Sequence, residues 1–137
     1  MAGYSGTPLI KKLGIKPGFR FAVIGSPKDF KKQLGLLPAK AKYVPITGDA
    51  IDVILAFFRS ERELLSKFSP LAAQLSRNGM IWIAWPKKSS GVATDLSFNN
   101  VQQTGLDAGL VDVKICAIDE IWSGLKFVYR LKDRVER

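Results

Sequence analysis

The chain has 137 residues, enough for one domain that buries roughly two-thirds of the surface its unfolded form would expose. Its 47% hydrophobic and 24% charged content is ordinary for a globular protein. It contains no histidine, which excludes Ser-His and Cys-His nucleophile pairs and every His-containing metal site. The single cysteine, Cys116, excludes an intramolecular disulfide and leaves a zinc ion little but carboxylates to bind. No metal or cofactor is expected.

The net charge of +9 is unevenly spread. Residues 1–48 carry nine lysines and arginines against one acid, Asp29, a net +8, and the remaining 89 residues carry +1. A one-sided basic surface attracts polyanions, such as nucleic acid, phosphorylated ligands or an acidic protein. The same residues would also serve as a solvated surface. The cations are mostly lysine and lack the interleaved aromatics of single-strand binders. The start, MAGYSGTPLIKKLG, has no apolar core of the kind a secretory leader needs, and no apolar stretch is long enough to span a bilayer. The cytosol is the expected compartment, and no membrane partner is expected.

In chain order, Thr7-Pro8 reads as a helix cap and first helical residue, opening a short helix to Leu13 that Gly14 stops. Lys16-Pro17-Gly18 is a turn. RFAVIG, residues 20–25, is a buried strand. Ser26-Pro27 repeats the start signal, with Asp29 near the positive helix end, and predicts a helix to about Leu34 before Gly35. KYVPI, residues 42–46, is a short strand, placed at an edge by Pro45, followed by a turn at Thr47-Gly48-Asp49. IDVILAFF, residues 51–58, is apolar on both faces, as for a strand covered on both sides.

Ser60 caps a helix expected from Glu61 to about Arg77, with Leu64, Leu65, Phe68, Leu71, Ala72 and Leu75 at helical spacing. Pro70 is expected to kink or divide it, and Asn78-Gly79 to close it. MIWIAW, residues 80–85, is a buried strand, and residues 86–91 form a polar loop. Asp95 is a potential cap for a helix from about Ser97 to Ala108, ended by Gly109. Strands over 111–118 and 125–131 are joined by 119–124, too short for a crossover helix, so they pair antiparallel. Cys116 lies in the apolar run 113–118 and reads as a buried small hydrophobe. A charged tail, 132–137, follows. The whole predicts a single α/β domain, a Rossmann-like three-layer αβα sandwich with core residues 20–131. Its sheet is mainly parallel, with a C-terminal antiparallel strand pair.

Ligands of open parallel sheets bind beyond the carboxyl ends of the strands. The sequence places Gly25, Ser26 and Lys28 there, then Arg59 and Ser60, then Trp85, Lys87 and Lys88, then Asp119, Glu120 and Trp122. Helix N-termini at Ser26 and Ser60, ringed by Lys28, Arg59, Lys87 and Lys88, would make an anion cradle. The bland alternative is that both serines are plain caps and the lysines are solvated. Asp119 and Glu120 are candidates for an acid–base pair, but adjacent turn residues point apart, and Asp119 is better suited to cap the turn or pair with Lys87 or Lys88. Trp85 and Trp122 could stack on a ligand, whereas Trp82 belongs to the core.

From Ile51 onward, the strand opening Ile51-Asp52-Val53, the Arg77-Asn78-Gly79 lead into MIWIAWP, the helix ending Ala108-Gly109-Leu110 and the final antiparallel pair resemble the C-terminal half of a class I methyltransferase fold. That resemblance implies an S-adenosylmethionine site built on a glycine-rich turn after the first strand and an acid after the second. Here the turn is Gly25-Ser26-Pro27-Lys28, and KYVPITGD offers only a late Asp49. A second resemblance covers nearly the whole chain. GYSGTPLIKKLGIKPG, DVILAFF, WPKKSSG and GLVDVKICAIDEIWSGLKFVYR are similar to the bacterial family called domain of unknown function 3052, which implies no assigned activity. Three functions stand open at this point. The first is a non-catalytic binding or regulatory domain for an anionic small molecule or acidic protein. The second is a nucleic-acid binder using the basic first third, and the third a minimal methyltransferase.

Overall fold

The computed structural model describes residues 8–47 and 50–134. Its elements are α1 (Leu9–Leu13), β1 (Arg20–Ile24), α2 (Phe30–Leu34), β2 (Lys42–Tyr43), β3 (Ile51–Phe57) and α3 (Glu61–Ala72). Then come β4 (Leu75–Pro86), α4 (Phe98–Asp107), β5 (Leu110–Ala117) and β6 (Trp122–Tyr129). The six strands form one sheet in the order β2-β1-β3-β4-β6-β5. Strands β2, β1, β3 and β4 run parallel, and β6 pairs antiparallel with both β4 and β5. The expected mainly parallel α/β sheet with a terminal antiparallel pair is the fold observed.

Helices α3 and α4 cover one face over Ile54, Ile81, Trp85, Leu125 and Phe127. Helices α1 and α2 cover the other over Phe21, Val53, Leu55, Trp82 and Trp122. Helix α1 ends at Gly14, whose φ of 82° suits a residue without Cβ and lets its N–H reach the Ile10 carbonyl. The Trp82 indole N–H donates to the Leu13 carbonyl at 3.0 Å and fastens the end of α1 to the sheet centre. Thr7 lies outside the described residues, and Pro8 stands just before the first helical residue rather than within it.

Four local readings are corrected. Helix α2 begins at Phe30, not at Pro27: the Phe30 N–H bonds the Pro27 carbonyl, and Asp29 takes a left-handed conformation (φ 68°), so Ser26 caps nothing. This turn delivers Phe30 edge-on to Phe57 with ring centroids 5.2 Å apart.

Helix α3 stops at Ala72 rather than Arg77. Leu75 continues the helical spacing of Leu71 but already pairs with Ile51. The register then jumps to Val53↔Met80, so residues 76–79 bulge out of β4. A Cβ on Gly79 would lie 2.8 Å from the Ile51 carbonyl. Asn78-Gly79 is therefore a strand irregularity where backbones touch, not a helix stop. Pro70 neither divides nor ends the helix: it sits on the exposed side, two residues before the last turn closes.

Strand β2 is two residues long at the sheet edge. Val44 still donates to the Phe21 carbonyl, and Pro45, lacking an N–H, ends the ladder. The turn residues Gly48 and Asp49 lie outside the described residues. Finally, β6 starts at Trp122, so the β5–β6 connection is shorter than 119–124.

Candidate functional site

The carboxyl ends of β1, β3 and β4 and the start of β6 meet along one edge of the sheet. After β1, Gly25 adopts φ 67°, and a Cβ there would lie 2.7 Å from the Phe57 carbonyl oxygen. The chain thus crosses from β1 directly against the backbone of β3. Ser26 is half-buried, and Lys28 is exposed in the turn before α2.

After β3, Arg59 is exposed and its guanidinium lies 4.8 Å from the Trp122 ring centroid. The arginine backbone is held too: the Thr94 hydroxyl donates to its carbonyl at 2.6 Å and accepts from the Leu96 N–H at 3.1 Å. Ser60 caps α3 as the sequence suggested, accepting from the Glu63 N–H at 3.2 Å. The Glu61 N–H, however, donates to Asp95 Oδ1 at 2.8 Å. With Glu61 and Glu63 in the first turn, the positive end of α3 is already supplied with carboxylates.

Of the two helix ends expected to form an anion cradle, the one at Ser26 does not exist and the one at Ser60 is closed by Asp95. Asp95 therefore does not cap α4. Ser97 and Asn100 do so, in a reciprocal capping box.

After β4, the Lys87 N–H donates to the Ile121 carbonyl at 2.7 Å, which ties the polar loop to the β5–β6 turn. Lys87 is half-buried, and Lys88 is exposed in a single 3-10 turn ended by Gly91. Asp119 Oδ1 accepts from the backbone N–H groups of Ile121 and Trp122, each at 2.8 Å. That carboxylate closes the turn, as the sequence favoured, and its neighbour Glu120 is exposed.

Trp85 and Trp122 are both buried, 5% and 3% exposed. They face opposite sides of the sheet, Trp85 toward α3 and α4, Trp122 edge-on to Phe57 at 5.0 Å on the α1–α2 side. They form no shared aromatic platform. Only Trp122 lines this edge, as the floor under Arg59. The sequence reading missed Thr94 and Asp95 as the residues that bind the 86–97 loop back to the start of α3; a Thr-Asp pair after Gly91 was the available signal.

Among the described residues, Lys28, Arg59, Lys87 and Lys88 form no ion pair with a carboxylate; the ion pair that is present, Lys67–Glu63, lies along α3. The described residues hold no group of three side chains able to ligate a metal, and no helix among them is long and apolar enough to cross a membrane. Two shallow grooves between α3 and α4, of about 150 and 190 Å³, lie away from this edge.

Solved structures with similar folds include S-adenosylmethionine-dependent methyltransferases. One, from Aquifex aeolicus, is 15% identical, with a TM-score of 0.65 over 87% of this chain and 86% of that one. Magnesium protoporphyrin IX methyltransferase from Synechocystis PCC 6803, with bound S-adenosylhomocysteine, is 11% identical, with a TM-score of 0.55 over 89% and 78%. A TehB-like methyltransferase from Corynebacterium glutamicum is 11% identical, with a TM-score of 0.53 over 89% and 85%. At these identities the likeness shows a methyltransferase-like fold.

The described residues depart at two places from the cofactor-binding pattern that this fold implies, and Asp49 lies outside them. The turn after β1 holds a single glycine, Gly25, whose Cβ side faces the Phe57 carbonyl rather than a ligand. Pro27 has no N–H to offer, and its carbonyl is bonded to Phe30. Strand β2 is followed by Val44-Pro45-Ile46-Thr47, with no carboxylate for ribose hydroxyls among those residues. No curated protein matches the chain in sequence. Residues 45–131 match the family described as "Protein of unknown function (DUF3052)", and the chain belongs to that family.

Proposed function

We propose that this protein is a non-catalytic binding domain on a methyltransferase-like scaffold, recognising an anionic ligand or acidic partner at the carboxyl edge of its parallel strands. One asymmetry along that edge carries the reading. Its carboxylates Asp95 and Asp119 are engaged by backbone N–H groups, which leaves Glu61 and Glu120 against four cations, Lys28, Arg59, Lys87 and Lys88, that pair with no carboxylate among the described residues.

Arg59 is the best-positioned of the four. Its guanidinium lies over Trp122, and its backbone is fixed by Thr94. A stacked, pre-positioned guanidinium presents its N–H fork to an incoming carboxylate or phosphate with little loss of freedom. It also stands beside the β1–β3 boundary, where the strand order reverses and open sheets receive ligands. No acid–base pair supports catalysis here, because Asp119 is committed to its own turn and Glu120 points into solvent.

The test is calorimetric titration with a panel of phosphorylated metabolites and short RNA and DNA, at low and physiological salt. The reading expects binding by a small phosphorylated molecule, weakened at least severalfold by Arg59→Ala and by Lys87→Ala, with a shallow salt dependence. Affinity for nucleic acid alone, falling steeply with salt through counterion release, would instead assign the basic surface to nucleic acid.

A further inference from the structure

A second basic cluster lies on a different part of the molecule, on the sheet face that carries α1. The register aligns Trp82, Lys126 and Lys114 in one row across β4, β6 and β5. Directly opposed residues on adjacent strands point to the same face, so the two lysine side chains leave the sheet side by side, and Lys114 lowers the pKa of Lys126. Like charges directly opposite each other destabilise a sheet. On the other face, Asp112 accepts from the Gln102 side chain of α4, so it does not relieve them. Among the described residues, neither Lys114 nor Lys126 pairs with a carboxylate.

A third cation joins from above. The bond from the Trp82 indole to the Leu13 carbonyl fixes the end of α1 over this row, and Lys12 precedes Leu13. Lys126 is half-buried, with its ammonium 5.7 Å from the Trp82 ring centroid. Cys116, two residues along β5 from Lys114 and half-buried rather than the buried hydrophobe expected from its apolar run, is influenced by all three lysines. Burial, the larger effect, raises its thiol pKa, and Lys12, Lys114 and Lys126 each pull it down. The helices on this face pack over β1, β3 and β4, and Lys114 on the outer strand is exposed.

We propose that Lys12, Lys114 and Lys126 form a binding site for a phosphate group, inorganic or carried on a small monoester. A phosphate dianion set among the three ammonium groups relieves the opposed Lys114–Lys126 pair and supplies the counter-charge that the strand register leaves out. Trp82 lies beside the Lys126 ammonium and its bond to Leu13 fixes the backbone next to Lys12, so part of the site is preformed. This site is separate from the strand-edge cations Arg59 and Lys87.

Cys116, the chain's only cysteine, reports on occupancy. Its alkylation by iodoacetamide is followed at constant ionic strength while inorganic phosphate, or separately glycerol phosphate, replaces chloride. A bound dianion cancels the positive field at the thiol, so the rate falls saturably, by about tenfold for the loss of a close positive charge. The fall is lost in Lys114→Gln and in Lys12→Gln, both conservative surface changes, and persists in Arg59→Ala. A rate that does not saturate with either phosphate, or that falls equally in Lys114→Gln, would overturn the proposal. Because Arg59→Ala is included, failure here is distinguishable from failure of the strand-edge reading.

Discussion

The Asp95 carboxylate accepts the Glu61 backbone N–H at 2.8 Å, joining residues 34 positions apart in the chain. This bond makes the start of α3 a satisfied helix end rather than an open anion site, and it also holds the 86–97 loop against the sheet edge. Replacing Asp95 with alanine removes a charged cap, at a cost of about 1 kcal/mol. Chemical denaturation of Asp95→Ala is expected to show that loss with an unchanged m value. An unaltered midpoint would mean the bond contributes nothing to the helix.

Gly105 lies inside α4, where alanine would ordinarily stabilise a helix by about 1 kcal/mol. Here a Cβ would lie 2.0 Å from the buried Phe127 ring. Gly105→Ala is therefore expected to destabilise the protein by about 2 kcal/mol through overpacking. The same variant with Phe127→Leu should recover part of that loss, which a double-mutant denaturation cycle measures.

Most elements are legible in the sequence because their signals are local. RFAVI, IDVILAF and the 110–129 hairpin are apolar runs bounded by turn residues, and Ser60 is a cap with no competitor. What fails is decided by distant contacts. Ser26-Pro27 has the form of a helix start, but the chain instead turns at Asp29 so that Phe30 reaches Phe57. Leu75 keeps helical spacing, yet β3 needs a partner at Ile51, and pairing wins. Trp85 and Trp122 look like neighbours near one edge, but strand alternation places them on opposite faces. For the site, the residues of the edge were legible from the ends of the strands. The engagement of Asp95 by α3 was not, because the Thr94-Asp95 pair marks a capping residue without saying which helix it caps, and Glu61 lies 34 positions away.

Trp122 and Arg59 separate packing from recognition. Trp122→Ala removes a buried ring that meets Phe57 edge-on and is expected to cost about 3–5 kcal/mol. Arg59→Ala removes an exposed guanidinium and is expected to change stability by no more than about 1 kcal/mol. Thermal denaturation of the two variants checks the contrast. Equal losses would mean that Arg59 is a structural residue.

Cys116 gives a pH signature with a definite sign. Burial raises its folded-state pKa above the ordinary 9.0. Between 9.0 and that higher value the folded state holds the proton that the unfolded chain has released. Its contribution is therefore full below pH 9.0 and lost as pH rises through the folded pKa. Lys126 acts oppositely: burial, then Lys114, lowers its pKa, so its contribution improves with pH up to 10.5. Urea denaturation of Cys116→Ala and Lys126→Met between pH 8 and 10.5 is expected to flatten the falling and the rising component respectively. Identical profiles for both variants and the wild type would refute the assignment.

The function proposed for this methyltransferase-like fold is anion binding at its basic strand edge, without S-adenosylmethionine. The most direct measurement is the melting temperature of the purified protein with saturating S-adenosylmethionine, S-adenosylhomocysteine or phosphorylated metabolites, at physiological salt. A ligand that binds only the folded state must raise it. The account predicts no shift with S-adenosylmethionine or S-adenosylhomocysteine, and a shift with a phosphorylated metabolite that Arg59→Ala abolishes. A salt-tolerant shift with S-adenosylmethionine would contradict it and favour the minimal methyltransferase.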